Sequence, residues 1–129
     1  MSVQVVLSSS FATSFAKLDG TNYSVWLMRM QDYLLCEGLW DLTQGHEEIL
    51  EKPKDDKLDR DYEKKLEKYQ AQRLRTQKAI GTLRLAMTDT MAERYYRASF
   101  TTPGKIWDDV VSSYEKEKKE LEDYLKDSW

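Results

Sequence analysis

Few residues in this chain could do chemistry, and their spacing works against it. Asp19-Gly20-Thr21 has the residue types of an aspartic-protease signature, but not in Asp-Thr/Ser-Gly order. It is better explained as a turn followed by a helix cap. His46 is the only histidine, and Glu47 and Glu48 follow it in a breaker-rich stretch between Gly45 and Pro53. A metal site needs three or four converging ligands. No Cys or second His completes a set, so His46 reads as a solvated side chain and no metal is expected. Cys36 is the only cysteine, which excludes an internal disulfide. A reactive thiol needs a basic neighbourhood, and Glu37 argues against one, so Cys36 reads as a small core or flanking residue in a protein suited to a reducing compartment. The five glycines are scattered singly, which leaves no phosphate-cradling loop. The acids are matched by Lys at short range and are not isolated in a pocket that would shift their pKa values. No catalytic residue, no cofactor and no small-molecule substrate is expected, and the chain does not read as an enzyme.

At 129 residues the chain fits one domain with one core. A third of it is charged, yet the net charge is only -3. Acids and bases interleave almost everywhere, so there is no continuous basic track for phosphates, and strong nucleic-acid binding is not expected. The apolar run Val3-Gln4-Val5-Val6-Leu7 is too short for a signal peptide and lacks a basic flank. Nothing approaches a membrane span, and Ser2 excludes myristoylation. A cytoplasmic protein is expected, free or enclosed in virus-like particles.

What the chain does offer is aromatic anchoring. Four Trp and eight Tyr in so charged a sequence must be buried or held at an interface. Residues 1–17, rich in Ser and Thr, read as a flexible or extended arm. After the Asp19-Gly20 turn, Thr21 or Asn22 can cap a helix by accepting a hydrogen bond from a free backbone N–H. Tyr23, Trp26, Met30, Tyr33 and Leu34 then keep helical spacing, and Gly38 stops the helix in a left-handed conformation. Leu39, Trp40 and Leu42 form a short second element. Residues 44–61 are polar and read as a charged, solvated insert. A long helix follows, from about Asp59 to Met87, with Tyr62, Leu66, Tyr69, the stem of Arg73, Ile80, Leu83 and Met87 on one face. Its second half must be buried. Thr90-x-x-Glu93 has capping-box spacing and opens a short helix through Tyr95 and Tyr96. Thr102-Pro103 reads as N-cap and first helical residue, and the last helix runs to about Lys126. Ile106, Trp107, Val110, Val111 and Tyr114 are its apolar face. Past Tyr114 it is mostly charged, with Leu121, Tyr124, Leu125 and Trp129 left as a sparse apolar face.

Two of these stretches together resemble a known family. Leu18-x-Gly20-x-Asn22-Tyr23-x-x-Trp26-x-x-x-Met30, then Leu39-Trp40, is similar to the N-terminal part of Gag polyproteins of copia-type LTR retrotransposons. Ile80-x-x-Leu83, then Thr102-x-x-x-Ile106-Trp107-x-x-Val110-x-x-x-Tyr114, looks like the second half of the same domain. The resemblance covers roughly residues 15–116, around a variable charged insert. It implies an all-α bundle similar to a retroviral capsid N-terminal domain, in which Gly20, Asn22, Tyr23, Trp26, Met30, Trp40, Ile106, Trp107 and Tyr114 are structural signature residues. It also implies side-by-side packing into shells around RNA. The chain departs from the family in two ways: it stops at Trp129, where a Gag would continue into a second capsid domain, and it lacks the Cys-x2-Cys-x4-His-x4-Cys knuckle that grips RNA.

The organisation expected is therefore an arm at 1–17, a capsid-like domain at 18–116 with its insert at 44–61, and a charged helical extension at 117–129. The function expected is structural: a self-associating Gag-type domain whose partner is itself or other Gag chains, in a weak homo-oligomer. The alternative is a Gag-derived adaptor that binds Gag and interferes with assembly. Leu121, Leu125 and Trp129, apolar at i, i+4 spacing, are the candidate self-association residues. No membrane partner is expected.

Overall fold

Leu18 is fully buried, and its backbone is tied across the chain to the end of a helix some seventy residues later. Its N–H donates to the Ala86 carbonyl at 2.9 Å, and its own carbonyl accepts from the Thr88 N–H at 3.0 Å. This single parallel bridge between Leu18 and Met87 opens the fold, here a computed structural model that describes residues 15–56 and 58–127. The extended run expected at Val3 to Leu7, and Trp129, lie outside the described residues.

Five α-helices and one 3-10 turn follow among those residues: α1 (Tyr23–Cys36), α2 (Trp40–Gln44), α3 (Tyr62–Leu85), α4 (Asp89–Ala92), the turn Glu93–Tyr96, and α5 (Pro103–Asp127). The chain is all-α, as its helical periodicity predicts. α1 buries Trp26, Met30, Tyr33 and Leu34 on one face. It ends where Gly38 takes φ +70, a conformation that costs other residues a Cβ clash. The Gly38 N–H reaches the Leu35 carbonyl at 3.2 Å and the Leu39 N–H reaches the Leu34 carbonyl at 2.8 Å, the paired bonds of a Schellman stop. Leu39 and Leu42 then bury α2 against α1 and α5.

α3 and α5 are long, and each is buried over half its length. α3 runs antiparallel to α1. Lys78 and Arg75 meet the C-terminal end of α1 at Glu37 and at the Gly38 carbonyl, while Ala86 lies beside Trp26 near its N-terminal end. The first half of α3 therefore projects past the C-terminal end of α1. α5 runs the same way as α3. Its first turn lies beside α2 and Thr76, Trp107 stacks on Trp26, and Tyr114 reaches Tyr23. Its second half projects past the other end of α1. The core lies between: Leu18, Trp26, Met30, Leu34, Leu83, Met87, Ile106 and Val110 are each 2% exposed or less.

Four local expectations are revised. Asn22 does hold the N-cap position of α1, but neither it nor Thr21 caps through its side chain. Asn22 turns back instead, accepting from the Asp19 N–H at 3.1 Å and donating to the Lys17 carbonyl at 2.9 Å. The helix after Met87 starts at Asp89 and is capped by Thr88, whose hydroxyl accepts from the Met91 N–H at 3.4 Å. Thr90 is not the cap, because the bond from Thr88 N–H to Leu18 holds Thr88 extended and the helix begins at once. On α3 the buried face passes through Gln72, Ala79 and Leu83, and Arg73 is exposed. Steps of seven and four residues back from Leu83 land on Thr76 and Ala79, then on Gln72, and leave Arg73 off the stripe. Cys36 is exposed.

Candidate functional site

The signature residues converge on one aromatic junction between α1 and α5. Trp26 and Trp107 stack with centroids 6.3 Å apart at 27°. Trp40 meets Trp107 edge to face at 5.0 Å and 86°, a favoured geometry for opposed ring quadrupoles. Tyr23 and Tyr114 extend the row, 6.2 Å apart. Met30 and Ile106 are fully buried beneath it. The indole N–H of Trp26 donates to the Ala86 carbonyl at 2.7 Å, the same oxygen that accepts from Leu18. Ala86 follows the last residue of α3, where carbonyls lack helical partners. The tryptophan thus fills the core and satisfies a helix end in one contact.

Gly20 and Asn22 set the approach to this junction. Gly20 sits at φ +96, with the place of its missing Cβ 3.5 Å from the Met91 sulfur. Asp19 accepts from both the backbone N–H and the hydroxyl of Thr21, at 2.8 and 2.6 Å. Those bonds, the hydroxyl's first, hold the Asp19 carboxyl below its ordinary pKa. Asp19-Gly20-Thr21 is a turn that positions Leu18 and α1.

Charge closes the junction on its outer side. Arg94 donates twice to Asp109 on α5, at 2.8 and 3.0 Å, and Tyr95 donates to the same carboxylate at 2.8 Å. The Arg94 bonds hold Asp109 below the usual carboxylate range despite partial burial. Burial, followed by the bond to Asp109, pushes the Tyr95 phenol well above its usual value. This triad was not legible in the sequence, since residues 94, 95 and 109 share no short-range pattern. A second close contact was also missed. Gly104 packs so tightly against α2 that a Cβ there would stand 2.9 Å from the Thr43 carbonyl oxygen. The groove beside it, about 450 Å³, is lined by Leu42, Ile49, Thr76, Pro103 and Asp108 among others.

The surfaces that remain are mostly charged, with exposed apolar side chains scattered among them, two groups of which lie on α5 and α1. On α5, every residue from Glu115 to Asp127 is exposed, and Leu121 and Leu125 have no cover among the described residues. On the outer face of α1, opposite the core, Val25, Met28 and Leu35 are each more than half exposed. Half-turn offsets from the buried stripe carry that second signal, and the sequence reading overlooked it. His46 lies 3.9 Å from Asp41 and is largely exposed. Among the described residues, no three His, Cys, Asp or Glu side chains come together as a metal site, and no helix is long and apolar enough to cross a membrane.

Residues 18–43, which build the turn, α1 and α2, match a family described as a domain of unknown function, DUF4219. That domain is found at the N-terminus of retrotransposon Gag-like proteins. The match spans about a fifth of the chain. No curated protein and no solved structure matches the chain.

Proposed function

We propose that this chain is a structural, self-associating, capsid-like domain of a copia-type retrotransposon Gag polyprotein or of a Gag-derived protein, working in the cytoplasm. The observation that carries this reading is where the family match falls. Residues 18–43 supply the whole α1 side of the aromatic junction, and the other side comes from Ile106, Trp107 and Tyr114. The two halves that resemble a copia-type Gag domain in sequence are therefore the two halves of one core. The long helices α3 and α5 project beyond that core, which makes them available to neighbouring copies.

Shell-forming contacts must be weak one at a time, because an assembly multiplies each contact many times over. The mixed, nearly balanced surface charge suits such contacts, and added salt should change them measurably. Binding of single-stranded RNA by this chain alone should be weak and non-specific. The test is sedimentation of the chain across a concentration and salt series, alone and with a longer Gag chain. Concentration-dependent, salt-sensitive association supports the reading. A strict monomer at millimolar concentration that still binds the longer chain makes it an adaptor or inhibitor of Gag assembly, and one that binds neither removes the proposal.

A further inference from the structure

Two features of opposite charge sit at opposite ends of the molecule. At one end, Lys52 and Lys54 of the insert and Lys65 and Lys68 of α3 line a cleft of about 340 Å³ with Leu50, Glu51 and Pro53. Asp59 holds Lys65 at 2.9 Å. Among the described residues no ion pair engages Lys52, Lys54 or Lys68. At the other end, residues 120–127 of α5 carry Glu120, Glu122, Asp123 and Asp127 against Lys126 alone, and all are exposed. Spacings of three and seven residues put Glu120, Asp123 and Asp127 on one face of the helix, and Leu121 and Leu125, four apart, on another.

The tail cannot reach the cleft of its own chain. Thr76 of α3 and Pro103 of α5 line one groove, which sets the two helices level there. Both run in the same direction from that level. At about 1.5 Å per residue, Lys68 lies about 12 Å behind it and Leu121 about 27 Å ahead. The gap of about 40 Å exceeds the reach of any side chain.

We propose that the acidic, leucine-bearing tail of α5 docks in the lysine cleft of a second copy of this chain. The proposal rests on the self-association reading and names the contact. Opposite charges steer the approach and set the register. The contact is head to tail, so a pair of copies retains one open cleft and one open tail between them, and association propagates through the assembly.

Two charge-reversed chains test this: K52E/K54E/K68E in the cleft and E120K/D123K/D127K in the tail, each first shown by circular dichroism to melt like the native chain. Sedimentation velocity over a concentration series should find each reversed chain associating at least about tenfold more weakly than the native one. An equimolar mixture should regain association. One chain then supplies an acidic tail to a basic cleft, and the other a basic tail to an acidic cleft. If both reversed chains associate like the native protein, the contact lies elsewhere and self-association stands without it. A mixture that stays monomeric overturns the pairing. So does tight single-stranded RNA binding that depends on Lys52, Lys54 and Lys68 and takes the place of self-association. If the native chain is itself monomeric at millimolar concentration, the contact and the reading beneath it both fail.

Discussion

α3 and α5 are nearly equal in length, at 24 and 25 residues, and they lie side by side in the same direction. Each is half apolar and half charged, but they are loaded at opposite ends: α3 buries its C-terminal half and α5 its N-terminal half. Their projecting halves fare differently. That of α3 lies under the insert. Gln72, only 7% exposed, accepts from the Leu50 N–H at 2.8 Å and donates to the Glu48 carbonyl at 2.7 Å. Arg75 pairs twice with Glu47, at 2.5 and 3.1 Å, and Tyr62, Leu66 and Tyr69 are half-buried. Past Tyr114, α5 has no such cover among the described residues. A charged helical stretch is thus not uncovered by composition alone. What distinguishes the two is a buried amide whose donors and acceptors match a crossing loop.

The sharpest test of the division between core and projection is truncation at each. Trp26→Ala or Trp107→Ala should cost about 3–5 kcal/mol, a large share of the roughly 5–15 kcal/mol that a domain has. Leu121→Ala with Leu125→Ala should change the monomer's stability by under about 0.5 kcal/mol. Thermal melting that found the tryptophan variants native-like, or the leucine pair severely destabilised, would break the comparison.

The next effect in size lies at the Asp109 triad. Asp109→Asn should cost about 1–2 kcal/mol at neutral pH, because the bonds it weakens involve an ionised group. The native carboxyl is held below its ordinary pKa, so the folded chain takes up that proton less readily than the unfolded one. Its contribution is complete above about pH 4 and is lost as pH falls below that. The variant should accordingly show a flatter acid limb in a plot of melting temperature against pH. An acid limb as steep as the native one would rule out Asp109 as a source of it.

Gln72→Ala probes the cover on α3. Two backbone groups of the insert lose their partner and water replaces it, at about 1 kcal/mol. The amide of Leu50 should exchange its hydrogen much faster while amides of the aromatic junction keep their protection. Uniform exchange across both regions would mean that the insert does not open separately. The smallest effect has the opposite sign. Gly81 lies inside α3, and a Cβ added there meets nothing within 4 Å. Gly81→Ala should therefore stabilise the chain by about 0.5–1 kcal/mol. A loss of stability would point to a neighbour on that face in solution.

Much of this architecture was legible in advance because helical periodicity reports burial directly. Trp26 and Met30 on α1, and Ile106, Trp107 and Val110 on α5, lie where spacing puts them. The Gly38 stop and the Thr102 cap, whose hydroxyl accepts from the Lys105 N–H at 3.2 Å, follow from local chemistry. The misses are of another kind. Asn22 and Thr88 are governed by the Leu18–Met87 bridge, a contact between residues far apart in sequence that no local window contains. Gln72 reads as a surface residue until a loop is known to cross it. The lysine cleft draws Lys52 and Lys54 together with Lys65 and Lys68, and in sequence they are separated by acids that make the stretch look balanced.

The doubly bonded Ala86 carbonyl also bears on how fast the molecule folds. Its bond to the Trp26 indole spans 60 residues, so the core closes only after a long stretch of chain has been brought round. The entropy of such a closure grows slowly with its length, by about 0.6 kcal/mol per doubling. The charged insert lies wholly inside that loop. Doubling the length of the loop through the insert would slow closure by roughly threefold and leave the closed core unchanged. Sequence change can therefore accumulate there at a modest kinetic cost, provided that Glu47 and Leu50 still find Arg75 and Gln72.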